Sequence, residues 1–267
     1  MSSKSFKIKD IFKDHWDDFV AQGHPIRSAV FKNVDKIIKC GEPSMGHAIY
    51  FCDNCGKFKH VYFTCKSRFC NSCGAKYIQD RASSISAKLI RCKHRHVVFT
   101  IPEELRIFFR KDRNLLNLLF MASADTVLTW FSKINKSENF KPGIVSTMHT
   151  FGRDLKWNPH IHMLLTEGAS GNKTVWRKIS HIPFNMLRKR WQATLLSLLN
   201  EKLGVSFYRL KSSLFKNYPD GFYVYAKPNM DSNSSKAVDY IIRYTGRPAM
   251  AQSRILDYDG QFVTFYY

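Results

Sequence analysis

The stretch that decides the fold is Met148-His-Thr-Phe-Gly-Arg-Asp-Leu-Lys-Trp-Asn-Pro-His-Ile-His-Met-Leu164. Two strand-like segments, Ile144 to Thr150 and His160 to Thr166, are separated by a short polar connection, which favours an antiparallel hairpin. Side chains alternate between the two faces of a strand, so the imidazoles of His160 and His162 lie on the same face. The spacing therefore predicts a pair of imidazoles that can share one metal ion.

A third imidazole belongs to the same prediction. His149 ends the first strand-like segment, and the hairpin would bring it beside His160 and His162. Three imidazoles leave coordination positions open for a phosphate oxygen and water, and they suit Mn²⁺ better than Mg²⁺. A His-x-His pair alone is a weak signal, since a half-buried histidine is often a hydrogen-bonded core residue.

Two tyrosines form the second chemical motif. Tyr240 and Tyr244 lie in Ala237-Val-Asp-Tyr-Ile-Ile-Arg-Tyr-Thr-Gly-Arg-Pro248, which predicts a short helix ended by its glycine and proline. The i,i+4 spacing places both phenols on one side of that helix. Tyrosine is a weak nucleophile at its ordinary pKa of about 10, so a nearby metal and Arg243 or Arg247 would have to assist it. The alternative is that one tyrosine packs in the core with its hydroxyl hydrogen-bonded.

The remaining pattern predicts an α+β fold. Helices are expected over 6–20, 27–38, 76–90, 184–203 and 235–245, with a helical region over 103–133 broken near 111–113. Strands are expected over 94–101 and 222–226 in addition to the hairpin, with another beginning at 262. Short connections between the central strands favour antiparallel pairing.

Five of the seven cysteines fall between positions 52 and 73. Cys52-x2-Cys55 and Cys70-x2-Cys73 have the spacing of a zinc ribbon, in which two turns supply four thiolates to one structural Zn²⁺. Cys65 is left over. It could displace one of these ligands, belong to a second site, or be a small buried residue. Cys40 and Cys92 are expected to be structural, and no disulfides are expected.

Charge points to a polyanionic partner. The 267 residues contain 42 Lys and Arg against 21 Asp and Glu, a formal net charge of +21. Ten of these cations and one acid, Asp80, lie between 56 and 96, interleaved with aromatic residues. Such a segment is expected to bind the phosphates of nucleic acid. We expect Lys66, Arg68, Lys88 and Arg91 to contact DNA, together with Arg243 and Arg247 near the two tyrosines.

Membrane and nucleotide partners are not expected. No uninterrupted apolar run reaches the ~18 residues of a spanning helix, and the N-terminus lacks a signal-peptide pattern. The segment Gly168 to Thr174 lacks the phosphate-binding pattern Gly-x4-Gly-Lys-Ser/Thr, so no nucleotide cofactor is implied. A bacterial cytoplasmic, nucleoid-associated protein is expected.

Taken together, these motifs resemble the HUH (His-hydrophobe-His) endonuclease superfamily, and within it the two-tyrosine transposases of rolling-circle bacterial insertion sequences. The segment 148–164 is similar to the metal segment of the family, Tyr240-Ile-Ile-Arg-Tyr-Thr to its Tyr-x3-Tyr segment, and the cysteine module to its N-terminal zinc-binding domain. The resemblance covers roughly Cys40 to the last residue, and relatives generally continue past the equivalent of Tyr267.

The resemblance implies helices and a zinc-binding DNA-binding domain over 1–92, then a catalytic domain over 93–267 with a ferredoxin-like or RRM-like sheet. It implies nicking of single-stranded or hairpin DNA at element ends through a 5′-phosphotyrosine, with Mn²⁺ or Mg²⁺ at His149, His160 and His162. Relatives often have His-Pro where this chain has Asn158-Pro159. The rival readings are a rolling-circle replication initiator or relaxase, and a non-catalytic DNA-binding remnant of a transposase.

Overall fold

The computed structural model describes residues 7–152, 154–179, 181–226 and 250–266. The chain divides into two compact units, one formed by Met1–Ser84 with Gly246–Tyr267 and the other by Ile85–Thr245. This division differs from the expected 1–92 and 93–267, because the last residues return to the N-terminal unit. There, Tyr258 donates a hydrogen bond to Asp14 at 2.7 Å, and the His15 ring is 2.8 Å from the carbonyl oxygen of Gly260.

The first unit contains short elements around a small core. Its helices are α1 (Ile8–Ala21), α2 (Ser28–Ile38) and α3 (Asn71–Ser86), and the last two residues of α3 belong to the second unit. It also contains two antiparallel hairpins, which pair β1 (His47–Phe51) with β2 (Phe58–Tyr62) and β8 (Ile255–Tyr258) with β9 (Val263–Phe265). Among its described residues, the buried apolar side chains are few: Val34, Ile37, Cys70, Ile78 and Ile255. Apolar burial therefore supplies this unit with limited stabilisation.

The second unit has the order βαββαβ, with one extra short strand. Its elements are β3 (His94–Phe99), α4 (Glu103–Lys111), α5 (Leu116–Ile134), β4 (Lys141–Phe151), β5 (Trp157–Ser170), β6 (Arg177–Lys178), α6 (Phe184–Leu203), α7 (Tyr208–Asn217) and β7 (Val224–Ala226). The predicted break in the helical region is confirmed between Lys111 and Leu116, and the predicted helix over 184–203 matches α6 residue for residue.

The sheet of this unit is antiparallel throughout. Its order is β4-β5-β3-β7, with β6 paired to β5, and β4 and β5 form the hairpin predicted from the sequence. This is the strand order of a ferredoxin-like fold, so the expected α+β class is confirmed. The predicted tyrosine helix over 235–245 lies outside the described residues.

One face of the sheet packs against the helices. Val97, Phe99, Ile161 and Met163 are fully buried on this side, and Trp191 of α6 fills the space above Phe99 with ring centroids 5.3 Å apart. The segment Arg113–Ile134 is apolar and long enough to cross a membrane by length and composition alone, but half of its most apolar window is buried within the protein, as in a core helix. The opposite face of the sheet is left for the histidines.

Candidate functional site

Three histidines converge on the face of the sheet away from the helices. His149 on β4 pairs directly with His160 on β5, and His162 lies two residues further along β5 on the same side. The ring centroids are 4.4 Å apart for His149 and His162, 4.8 Å for His160 and His162, and 5.5 Å for His149 and His160. One nitrogen from each ring lies within 4.8 Å of the others. The structure thus brings together all three imidazoles predicted from the sequence.

The local sequence explains this arrangement. Ile161 and Met163 are apolar and fully buried in the core, so the alternation along β5 forces His160 and His162 to the other face. His149 reaches the same place because the β4–β5 hairpin sets the register. The position of the three rings is therefore fixed by the pleat of a sheet whose other face is packed.

Hydrogen bonds orient two of the rings. Nδ1 of His160 lies 2.7 Å from the carbonyl oxygen of Asn158, and a carbonyl only accepts, so Nδ1 carries the proton and Nε2 has the lone pair for a metal. Nδ1 of His162 lies 2.8 Å from Nε2 of His96 on β3, and these two rings are nearly parallel. For Nε2 of His162 to ligate, its Nδ1 must donate to His96. Such outer contacts fix the tautomer of metal-binding histidines.

The protonation states suit metal binding. Burial lowers the pKa of His160, and burial together with the neighbouring His149, His160 and His96 lowers the pKa of His162 to about 2. Burial also lowers the pKa of His96. These imidazoles are neutral near pH 7, which is the form that binds a metal. The donor set therefore fits a divalent ion with three nitrogen ligands.

His96 is a functional candidate that the sequence reasoning missed. The segment His94-Arg95-His96 itself has His-x-His spacing on a predicted strand, but nothing in the sequence alone says that β3 pairs with β5. That pairing brings His96 beside His162. The His-x-His spacing is visible in the sequence, but the contact of His96 with His162 follows only from the order of the strands in the sheet.

Four residues of the predicted site, Tyr240, Tyr244, Arg243 and Arg247, lie outside the described residues. Their assignment as nucleophiles and assisting cations remains a prediction from the sequence.

A second cluster consists of cysteines in the first unit. Sγ of Cys73 lies 3.6 Å from Sγ of both Cys40 and Cys65, and Sγ of Cys70 lies 3.8 Å from Sγ of Cys40. Four sulfurs at tetrahedral Zn–S distances of about 2.3 Å would be about 3.8 Å apart. The spacing therefore matches a closed four-thiolate zinc site. Burial raises the pKa of Cys40 and of Cys65, so zinc binding would have to displace their protons.

The structure groups a different set of four cysteines from the set predicted by spacing. Cys70 and Cys73 belong to it, but Cys40 and Cys65 take the places expected for Cys52 and Cys55. The β1–β2 hairpin is the reason. Its base brings the segments next to Cys40 and Cys65 together, with the Gly41 amide donating to the Phe63 carbonyl at 3.2 Å.

The two remaining cysteines of the predicted set lie at the other end of that hairpin. Cys52 and Cys55 are exposed at its tip, beyond five-residue strands that extend about 17 Å. Gly56 completes the turn at φ 62°, with its amide bonded to the Cys52 carbonyl. Hydrogen bonds from Cys55 and from the Asn54 amide lower the pKa of Cys52.

The four cations predicted to bind DNA are all exposed. Lys66 and Arg68 lie in the first unit beside the cysteine cluster, with the Arg68 guanidinium 5.0 Å from the centroid of the Phe69 ring. Lys88 and Arg91 lie in the second unit, just before β3. Each can therefore reach a phosphate.

Comparison with known proteins finds a family match over each of the two clusters. The transposase zinc-binding domain family matches residues 11–101, and the family described as "Putative transposase" matches residues 143–267. The first match contains all four cysteines of the cluster, and the second contains His149, His160 and His162. No solved structure matches the chain.

Two relatives align along nearly the whole chain. The transposase for insertion sequence element IS801 of Pseudomonas savastanoi pv. phaseolicola is 28% identical over 97% of this chain and 66% of its own length. The protein described as "Putative transposase y4qJ" of Sinorhizobium fredii is 25% identical over 99% of this chain and 71% of its own length. This chain thus spans about two thirds of the length of these relatives. Its sequence motifs, the two domain matches and both relatives agree: the chain is similar to transposases, with a match to a transposase zinc-binding domain followed by a match to a transposase domain.

Proposed function

We propose that this transposase nicks single-stranded DNA at the ends of an insertion sequence and rejoins it, through a 5′-phosphotyrosine, in rolling-circle transposition. The observation that carries the proposal is the convergence of three imidazoles on the face of a ferredoxin-like sheet that lies opposite the helical core. Rigid ligands on adjacent strands place an ion at one defined point, which is what orienting a phosphodiester requires.

The metal would be held by Nε2 of His160 and His162 together with His149. A divalent ion bound there would polarise the scissile phosphate and offset its growing negative charge. Mn²⁺ and Mg²⁺ are both candidates, with imidazole ligands favouring Mn²⁺. Asn158 and His96 hold two of the rings in the tautomer that ligation needs.

The tyrosines would carry the covalent chemistry. The hydroxyl oxygen of Tyr240 or Tyr244 attacks phosphorus, the bond to the 3′ oxygen breaks, and the phosphate stays on the tyrosine. The phenolic proton is lost and the departing strand gains one, which leaves a free 3′ hydroxyl. The second tyrosine would accept a second strand, so strands could be exchanged without a double-strand break. Arg243 and Arg247 would stabilise the phenolate.

The cysteine cluster supports a structural role for zinc. A site closed by Cys40, Cys65, Cys70 and Cys73 has no open position for substrate, and its binding energy would stabilise a unit with a small core. The exposed Lys66, Arg68, Lys88 and Arg91 would supply salt-dependent affinity for phosphates.

A cleavage assay tests the proposal. Single-stranded oligonucleotides from the ends of the encoding element would be incubated with the protein and Mn²⁺, and covalent adducts resolved by denaturing electrophoresis. We expect His160→Ala, His162→Ala and the double variant Tyr240→Phe/Tyr244→Phe to form no adduct while retaining most DNA binding. Robust cleavage by the double Phe variant would rule out the tyrosine mechanism. If well-folded wild-type protein did not nick DNA, the result would favour a non-catalytic DNA-binding remnant of a transposase.

The rival enzymatic function is a rolling-circle replication initiator or relaxase. It shares the chemistry but acts at an origin rather than at two element ends. Terminal sequences flanking the gene that are both cut by the protein would support the transposase, and cleavage confined to a plasmid origin would support the rival.

A further inference from the structure

The face of the sheet that carries the histidine cluster extends to the edge strand β7, where two tyrosines are exposed. Tyr223 and Tyr225 are 51% and 42% exposed, whereas Val224 between them is 1% exposed and packs in the core. Alternation along the strand therefore directs both phenol rings to the same side as the histidines. The proposed chemistry uses neither ring.

The register places these tyrosines in line with the metal ligands. Val98 on β3 is paired with Tyr225 on one side and with His162 on the other. Adjacent strands are 4.7–4.9 Å apart, so the backbones at Tyr225 and His162 are separated by about 9–10 Å across the sheet. A strand of DNA whose phosphate lies at the histidines would pass over the tyrosines.

The two rings lie nearly parallel to each other, and an arginine side chain lies against one of them. Their planes are within 16° of parallel with centroids 6.3 Å apart, and the guanidinium of Arg188 lies 5.0 Å from the centroid of the Tyr223 ring. The backbone beneath is fixed, because the amide and the hydroxyl of Thr100 both donate to the Tyr223 carbonyl at 3.1 Å. Gly221, at φ 83°, leads into this segment so close to Arg188 that a Cβ would lie 2.3 Å from its carbonyl carbon. The surface is therefore preorganised.

No carboxylate among the described strand residues of this face would repel a polyanion. Among the described strand residues of β3, β4, β5 and β7 that point to the histidine side, none is Asp or Glu. Aromatic rings exposed on a sheet are a common means of binding unpaired bases, and arginine adds a cation–π contribution. A double helix hides the faces of its bases and could not stack on these rings.

We propose that Tyr223 and Tyr225, with Arg188, form a stacking platform for the unpaired bases next to the scissile phosphate. The inference rests on the proposed function for the identity of its ligand, and it adds a substrate-binding surface that selects single-stranded over double-stranded DNA. The platform holds the bases while the histidine face holds the phosphate. Its contribution is to affinity and to the register of the bound strand.

Binding without cleavage tests the platform. The full chain, with zinc but without added divalent metal, would be titrated into an oligonucleotide of about fifteen nucleotides carrying one 2-aminopurine, whose fluorescence falls when the base stacks. We expect Tyr223→Ala or Tyr225→Ala to weaken binding about tenfold and the double variant about a hundredfold, with loss of the quenching. The variant Tyr223→Phe/Tyr225→Phe keeps the rings and should bind within about twofold of the parent.

The matched control is Tyr208→Ala, which removes a phenol that is 64% exposed on α7 of the same unit. It should leave affinity and quenching unchanged, and thermal melts should confirm that all variants are folded. Unchanged affinity in the double Ala variant, or an equal loss of affinity for double-stranded DNA, would overturn the proposal. So would loss of self-association in that variant with normal DNA binding, which would identify a second copy as the occupant. None of these binding measurements requires DNA cleavage. Failure of the protein to cleave DNA would therefore refute the proposed function, while the binding data would still test the stacking platform.

Discussion

The cysteine cluster and the histidine cluster are both compact donor sets, but the chain supports them in different ways. The four sulfurs come from loops and the start of a helix in a unit with few buried apolar side chains. The three imidazoles come from adjacent strands whose other face covers a large core containing Trp191, Phe99 and Ile161. We expect the first site to depend on a bound Zn²⁺ for its structure, whereas the second should form without an ion.

This difference reflects where each stabilisation energy comes from. A structural zinc ion contributes apparent binding energies of about 10–16 kcal/mol, which becomes folding energy when no site exists in the unfolded chain. The sheet of the second unit already gains its stability from burial of apolar surface. An ion that arrives on the histidine face finds ligands in place, as a catalytic site with open coordination positions requires.

Removal of zinc should show the largest effect. Treatment with a strong chelator at neutral pH should unfold the first unit and leave the second folded. Limited proteolysis should then degrade residues before about 84 while a fragment containing β3 to β7 resists. As the control, addition of Zn²⁺ should restore the resistance of the first unit to proteolysis. Equal resistance of both units after complete zinc removal would contradict the expected difference between them.

The ligand set of the zinc site can be tested by single substitutions. Cys40→Ser or Cys65→Ser should give protein with little zinc and an unfolded N-terminal unit, because one of the four proposed zinc ligands is lost. Cys52→Ser or Cys55→Ser, at the exposed hairpin tip, should keep one zinc per chain by elemental analysis. Loss of zinc in the Cys52 and Cys55 variants, with zinc retained in the Cys40 and Cys65 variants, would instead support the ligands predicted from the Cys-x2-Cys spacing.

His96 gives a sharper test of preorganisation on the histidine side. His96→Leu removes the acceptor for His162 and should weaken Mn²⁺ binding about 10–100-fold, as outer contacts of metal ligands commonly do. His96→Gln, whose amide oxygen can accept the same hydrogen bond, should recover part of the loss. The matched control is His94→Leu, which removes a buried histidine from the same strand. Equal effects of the two Leu substitutions would mean that His96 contributes only packing.

The smallest predicted effect is in the pH dependence of Mn²⁺ binding. Two imidazoles with the ordinary pKa of about 6.5 would lose about fifteenfold in affinity between pH 7.5 and pH 6, because protons compete with the metal. Burial lowers the pKa of His160 and His162, so protons compete less with the metal at these two rings and the loss should be well below fifteenfold. Calorimetric titrations at several pH values measure it, and a fifteenfold loss would mean that the rings are solvated.

The sequence predicted the histidine side better than the cysteine side, for a physical reason. Strand alternation and a short hairpin are local, so His149, His160 and His162 follow from residues within a span of fourteen positions. The zinc ligands depend on which segments a hairpin brings together. Cys40 is distant from Cys65 in sequence, and only the pairing of β1 with β2 makes them neighbours.

Features that depend on the order of strands in the sheet also could not be predicted from the sequence. The βαββαβ elements could be predicted from periodicity, but the roles of His96 and of Tyr223 and Tyr225 come from β3 lying between β5 and β7. The return of β8 and β9 to the N-terminal unit had no local signal either, because it rests on single contacts such as that of Tyr258 with Asp14.

In the proposed function, the histidine face and the tyrosine pair act together on one phosphodiester. Mass spectrometry of peptides from a trapped protein–DNA adduct tests it most directly, with wild-type protein and His160→Ala treated alike with Mn²⁺ and single-stranded element ends. We expect a nucleotide on Tyr240 or Tyr244 in the wild type and none in the variant. A nucleotide on any other residue, or an undiminished adduct in His160→Ala, would contradict it.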